Sequence, residues 1–140
     1  MKKFSIKARV FSAFAILILF SACASTVIIS EDLSPAEIIQ RAQEASDRNR
    51  YNIALQYYEA LLERNRNTID LVITAKYEIA FIHYKQKKYQ QARSELNDVL
   101  EYYNTSDEVL EYLQHFKKLA QIVLDRIDEI ENSPSPFSRK

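Results

Sequence analysis

The chain has 140 residues, 47% of them hydrophobic and 27% charged, with a formal net charge of zero, which is enough for one domain of ordinary soluble composition. It contains no Gly and three Pro, which argues against a hairpin-rich β fold and excludes the Gly-dependent P-loop and dinucleotide fingerprints. Lys2, Lys3, Lys7 and Arg9 lie in the first nine residues. Without these four of the 19 basic residues, 15 remain against 19 acidic ones, a net charge of −4 with no electrostatic footprint for nucleic acid.

The N-terminus reads as a leader. Residues 1–9 carry the four positive charges, Val10 to Phe20 is apolar over 11 residues, and Ser21-Ala22-Cys23-Ala24 puts small residues at the exit. These are the three parts of a secretory signal peptide. Phe20-Ser21-Ala22-Cys23 resembles a bacterial lipobox, with Phe20 where that family prefers Leu. The resemblance implies cleavage before Cys23 and acylation of its thiol. Cys23 is the one cysteine in the chain, so no internal disulfide forms. Two alternatives stay open. Ordinary cleavage at Ala22-Cys23-Ala24 leaves a soluble secreted protein, and the 21 uncharged residues from Val10 to Ser30 are long enough to span a bilayer uncleaved.

The expected organisation is a signal peptide over 1–22, a lipid-anchored tether over 23–33, a helical domain over 34–132 and a disordered tail over 133–140, where Pro134 and Pro136 oppose helix. Ser34-Pro35-Ala36-Glu37 is a strong helix start: Ser34 caps, Pro35 suits the first helical position and Glu37 closes a capping box. The spacing predicts helices over 35–47, 51–65, 68–86, 89–103 and 106–131, an all-α fold. Polar breaks separate them at Asp47–Arg50, Arg64–Asn67 and Asn104–Ser106, and Thr105-Ser106-Asp107-Glu108 offers a second capping box.

Two segments resemble each other. The stretches Tyr51-Asn52-Ile53-Ala54 and Tyr89-Gln90-Gln91-Ala92 both open Tyr-x-x-Ala. Each then places large apolar residues four and seven positions on, Tyr58 and Leu61 in the first, Leu96 and Val99 in the second. Ala42 and Ala80 hold the matching small position of each preceding helix. The offset is 38 residues, against 34 in the tetratricopeptide repeat, and the extra length fits the loop near Asn65–Thr68. Small alanines let paired helices approach closely, and Tyr51 and Tyr89 wedge the turns. The run Tyr77–Ala92 resembles the tetratricopeptide consensus, and the first repeat departs from it at Arg41 and Ala45. Together with the lipobox, the chain is similar in kind to the tetratricopeptide lipoprotein of the outer-membrane β-barrel assembly machinery, which has about five repeats where this chain has two.

Val109, Leu113, Phe116, Ala120, Val123, Ile127 and Ile130 form an apolar seam spaced 4, 3, 4, 3, 4, 3. One reading is a capping helix over the open end of the second repeat. The other is self-association, because Leu110, Leu119, Ile122 and Leu124 widen the stripe beyond one face.

No reactive constellation stands out. His83 and His115 are the two histidines, and with Cys23 committed to lipid no metal-ligand cluster remains; His83 falls where the repeat family places a core aromatic. No nucleophile motif is present, and no enzyme activity, cofactor or metal is expected. The resemblance to the repeat family implies a concave groove lined by the first helix of each pair: Ile39, Gln43 and Ser46, then Tyr77, Phe81, Tyr84 and Lys85. It either stands open to a partner or is filled in part by the last helix. The expected role is an adapter or scaffold holding an envelope protein at the periplasmic face, at the outer membrane rather than the inner. Two alternatives remain: an accessory subunit of a solute-binding transport system, or a self-associating structural lipoprotein with a homo-oligomer contact through the 106–131 helix.

Overall fold

The computed structural model describes residues 26–105 and 113–133. Their secondary structure is five helices: α1 (Pro35–Asp47), α2 (Tyr51–Arg64), α3 (Ile69–Lys85), α4 (Tyr89–Thr105) and α5 (Gln114–Asn132). Each of α1 to α4 packs on its successor, and α5 lies across α4 and α3. The fold is all-α, built of helix–turn–helix pairs, as the periodicity predicts.

Local chemistry starts and stops these helices. The Ser34 capping box forms in full: the Ser34 amide donates to Glu37 Oε2 at 2.9 Å and the Glu37 amide donates to Ser34 Oγ at 3.4 Å, with Pro35 at the first turn. α1 and α3 both end in a left-handed residue, Asn49 at φ 56° and Lys87 at φ 62°. The same two hydrogen bonds close each end. Asn49 N–H donates to Ser46 O and Arg50 N–H to Ala45 O; 38 residues later Lys87 N–H donates to Tyr84 O and Lys88 N–H to His83 O. This is the Schellman closure, which normally takes Gly at its left-handed position. Without glycine, the chain makes the turn with Asn and Lys. The repeat seen in side chains is therefore also a repeat in backbone conformation.

The second helix of each pair fits because its facing residue is small. Ala42, Ala54, Ala80 and Ala92 are all fully buried. Ile38, Ala45, Tyr57, Tyr58 and Leu61 fill the first core with Ala42 and Ala54, and Ala80 and Ala92 belong to the second. Tyr77, Leu96, Val99, Leu113, Ala120, Val123 and Ile127 fill the second. α3 serves both cores: Ala75 and Ile82 face the first, Ile73, Tyr77 and Ala80 the second. A helix apolar all round is one that is buried all round, and α3 is the central plank of the stack. Each buried large aliphatic contributes about 1.5–3 kcal/mol of burial free energy.

Two segments differ from the sequence-based expectation. Residues 26–33, read as part of a tether, form a strap docked on the first helix pair. Val27 N–H donates to Gln56 Oε1 at 2.9 Å, and the Arg64 guanidinium donates to the carbonyls of Ile29 and Ser30 at 3.0 Å each. Val27, Ile29 and Leu33 pack on the core while Ile28 is 97% exposed, the alternation of an extended chain. The strap was missed because a short apolar stretch beside a leader reads as its continuation.

The second difference is at the last helix. α4 runs through Asn104 and Thr105, so Thr105 is a helix end and not a cap, and the described part of the final helix begins at Gln114 with Leu113 at its cap position. Val109, Leu110 and the rest of the second capping box lie outside the described residues. Tyr103 Oη donates to Leu113 O at 2.6 Å and fixes that entry. Arg93 on α4 donates to Asp128 at 2.6 Å and Glu131 at 2.7 Å, clasping the far end. Leu113, Ala120, Val123, Leu124 and Ile127 are buried, so α5 caps the second core as one reading of the seam expected. Ile130, on that seam, is 39% exposed because α4 is flanked there by the polar Arg93 clasp.

Two substitutions test this packing in chemical denaturation. Lys87→Gly relieves the left-handed strain and, after the loss of backbone entropy in glycine, raises stability by about 0.5–1 kcal/mol. Ala92→Leu forces extra methylenes between α3 and α4 and lowers it by about 1–3 kcal/mol.

Candidate functional site

The C-terminal half of α3, whose Lys85 reaches Ser46 of α1, gathers most of the polar and aromatic groups of interest. Five rings form a ladder along α3: Phe116 lies 5.2 Å from Tyr77, Tyr77 5.9 Å from Phe81, Phe81 5.9 Å from Tyr84 and Tyr84 6.0 Å from Tyr89, centroid to centroid. The ring contacts come from i, i+4 and i, i+3 spacing on α3, and α5 supplies the terminal ring.

This ladder corrects one expected groove residue. Tyr77 is 5% exposed, covered by Phe116, so its ring belongs to the core and not to a partner surface. The last helix covers Tyr77 because two helix pairs leave an apolar end that has to be covered. Phe81, Tyr84 and Lys85 remain half-buried, Ile39 is half-buried and Gln43 is exposed.

Lys85 ties the two helix pairs together. Its Nζ donates to Ser46 Oγ at 2.5 Å and lies 5.1 Å from the ring centroids of both Tyr51 and Phe81, a double cation–π contact. Of the expected groove residues, Lys85 of the second pair and Ser46 of the first are the two that the structure brings into contact. Tyr51 also donates from Oη to Asn49 Oδ1 at 2.7 Å, pinning the turn it wedges.

Beside this contact lies a buried polar group set. Burial pushes the Glu78 carboxyl above the ordinary carboxylate range; Lys85 opposes that rise and Asp47 adds to it. The Tyr58 hydroxyl is fully buried and has no hydrogen-bond partner among the described residues. Burial, with the negative Glu78 and Asp47 nearby, pushes its phenol upward. The Tyr77 phenol is pushed up to about 12, by burial first and then by Glu78. Glu78 is a residue that reading the sequence passed over. Its signal was available in the seven-residue spacing to Lys85, which puts both on one side of α3.

His83 is packed and 7% exposed. Its Nδ1 lies 2.7 Å from Glu95 Oε2, and Gln91 Nε2 donates to Glu95 Oε1 at 3.0 Å, so the pair bridges α3 and α4. Among the described residues no group of three or more His, Cys, Asp or Glu is placed to hold a metal ion. The residues assigned to repeat packing sit as follows: Ala42, Ala54, Tyr58, Ala80, Ala92 and Leu96 are fully buried, and Tyr51 and Tyr89 are half-buried at the two turns. Cys23 lies outside the described residues, and no described helix is long and apolar enough to cross a membrane.

Tyr58→Phe removes a hydroxyl that is desolvated and makes no bond, so it leaves stability unchanged or raises it, by up to about 1–3 kcal/mol. Glu78 gives a pH dependence of definite sign. Its folded-state pKa is raised, so the native state binds more protons than the unfolded one just above the ordinary value of 4.5, and stability falls as pH rises through the folded value. Glu78→Gln removes that loss: the variant is more stable than the parent at pH 7, and the difference shrinks as pH falls below 4.5. Urea titrations at the two pH values read both effects.

No family model matches the chain, and no solved structure matches it. An uncharacterized protein of Treponema pallidum (strain Nichols) is 36% identical over 104 residues, which cover 72% of this chain and 41% of that protein. The chain thus spans about two-fifths of the length of this relative.

Proposed function

We propose that this chain is a lipid-anchored helical adapter that holds a partner protein at the periplasmic face of a bacterial membrane, at the outer membrane rather than the inner. The leader and Cys23 support the anchor. The repeated Schellman turns and buried alanines support a platform of the tetratricopeptide kind. The observation that carries the binding role is the strip beside the Lys85 contact, where Phe81 and Tyr84 stay half-exposed on a rigid helix. Tyrosine and phenylalanine held this way offer large contact area at small entropic cost. Their partner is a protein segment presenting an apolar or aromatic side chain. Lys85 serves the platform more than the partner, because Ser46 and two rings already occupy it.

Affinity capture of the intact lipoprotein from native membranes, with mass spectrometry of the captured proteins and of the mature N-terminus, tests the proposal. Phe81→Ala with Tyr84→Ala weakens capture by about 2 kcal/mol or roughly 30-fold, while helical circular dichroism holds. Capture unchanged in the folded double variant contradicts the assigned surface.

A second reading is favoured by a specific observation on α5. Leu119, Ile122 and Ile130 are 38%, 50% and 39% exposed along one flank of that helix. A self-associating lipoprotein would use this flank, and Ile122→Glu would then convert a dimer to a monomer in sedimentation velocity.

A further inference from the structure

The docked strap fixes how the domain sits on its membrane, an inference that rests on the acylated Cys23 proposed above. Cys23 stands four residues before Val27, and four residues span at most about 14 Å. Val27 has little freedom to swing away, because Gln56 holds its amide and Arg64 clamps the carbonyls of Ile29 and Ser30 just beyond it. The side of the domain that carries Val27 is therefore held within that reach of the lipid.

The chemistry of this side suits a bilayer surface. A single exposed isoleucine is ordinary, but Ile28 is held outward at 97% exposure by a clamped backbone. Next to it Val27 lines a hollow with Arg41, Arg48 and Arg50, and Glu44 is the one acid there. All four charged residues are exposed. Arg41, Arg48, Arg50 and the strap-clamping Arg64 stand against Glu44 and the strap's own exposed Glu31 and Asp32, four positive charges against three negative, a face of +1, whereas the chain beyond the leader carries −4.

We infer that the face formed by the strap and Arg41, Arg48 and Arg50 lies on an anionic bilayer, with Ile28 entering the headgroup region and the arginines meeting lipid phosphates. Basic residues beside an exposed apolar residue add electrostatic attraction for anionic lipid to an existing lipid attachment. In this orientation α5, packed on α3 and α4 at the other end of the stack, faces away from the lipid.

The test uses the intact lipoprotein carrying Ile28→Cys or Gln121→Cys, each labelled with an environment-sensitive fluorophore. The protein is reconstituted into vesicles of phosphatidylethanolamine and phosphatidylglycerol that contain an acyl-chain quencher, and the same sample is assayed for N-terminal acylation by mass spectrometry. The expected result is an acylated Cys23, a dye at position 28 that is blue-shifted and quenched, and a dye at position 121 that is neither. Combining Arg41→Gln, Arg48→Gln and Arg50→Gln is expected to reduce the quenching at position 28. An acylated protein whose two dyes are equally unquenched overturns the membrane face while leaving the lipoprotein reading intact. A triple variant quenched as strongly as its parent overturns the part assigned to the arginines. An unacylated N-terminus overturns the lipoprotein reading and the membrane face with it.

Discussion

The whole stack depends on close approach of helices at four alanines. Ala42 and Ala54 in the first pair, Ala80 and Ala92 in the second, are each fully buried, and nothing larger fits where they stand. Close approach brings the large side chains on either side, Tyr58 and Leu61 or Leu96 and Val99, into both neighbouring helices at once. Interiors packed to this density feel a single added methylene. The turns follow from the same demand: antiparallel helices this close need a tight reversal, and in a chain without glycine Asn49 and Lys87 take the left-handed conformation to provide it.

α3 is the element through which the two pairs become one body. Its apolar residues face two cores, and its C-terminal turn carries Lys85 to Ser46 and Tyr51 of the first pair. The half-buried Glu78 and the unpartnered Tyr58 hydroxyl sit at this junction. These groups cost stability where an apolar pair would not. The junction between pairs is thus less well satisfied than the junction within a pair.

The helical class, four of the helix starts and the alanine–tyrosine repeat were legible in the sequence, because each rests on local periodicity or cap chemistry: Ser34 with Glu37, Tyr51 with Ala54, Tyr89 with Ala92. What was illegible depended on contacts distant along the chain. Tyr77 reads as a groove residue until Phe116, 39 positions later, covers it. Residues 26–33 read as a tether until Gln56 and Arg64 hold them down. Asn104 and Thr105 read as a break, but packing of Tyr102 and Tyr103 on the second core keeps α4 wound through them. Of the residues expected to line the groove, Phe81, Tyr84 and Ile39 are half-buried, Gln43 is exposed and Tyr77 is buried.

The central position of α3 is most directly tested by native-state hydrogen exchange resolved to single amides. Buried on both sides, the amides of α3 from Ile73 to Ile82 are predicted to exchange only through global unfolding and to be the slowest in the chain, with those of α1 and α5 opening at lower free energy. Exchange of α3 at rates equal to those of α1 and α5 would contradict a stack organised around that helix.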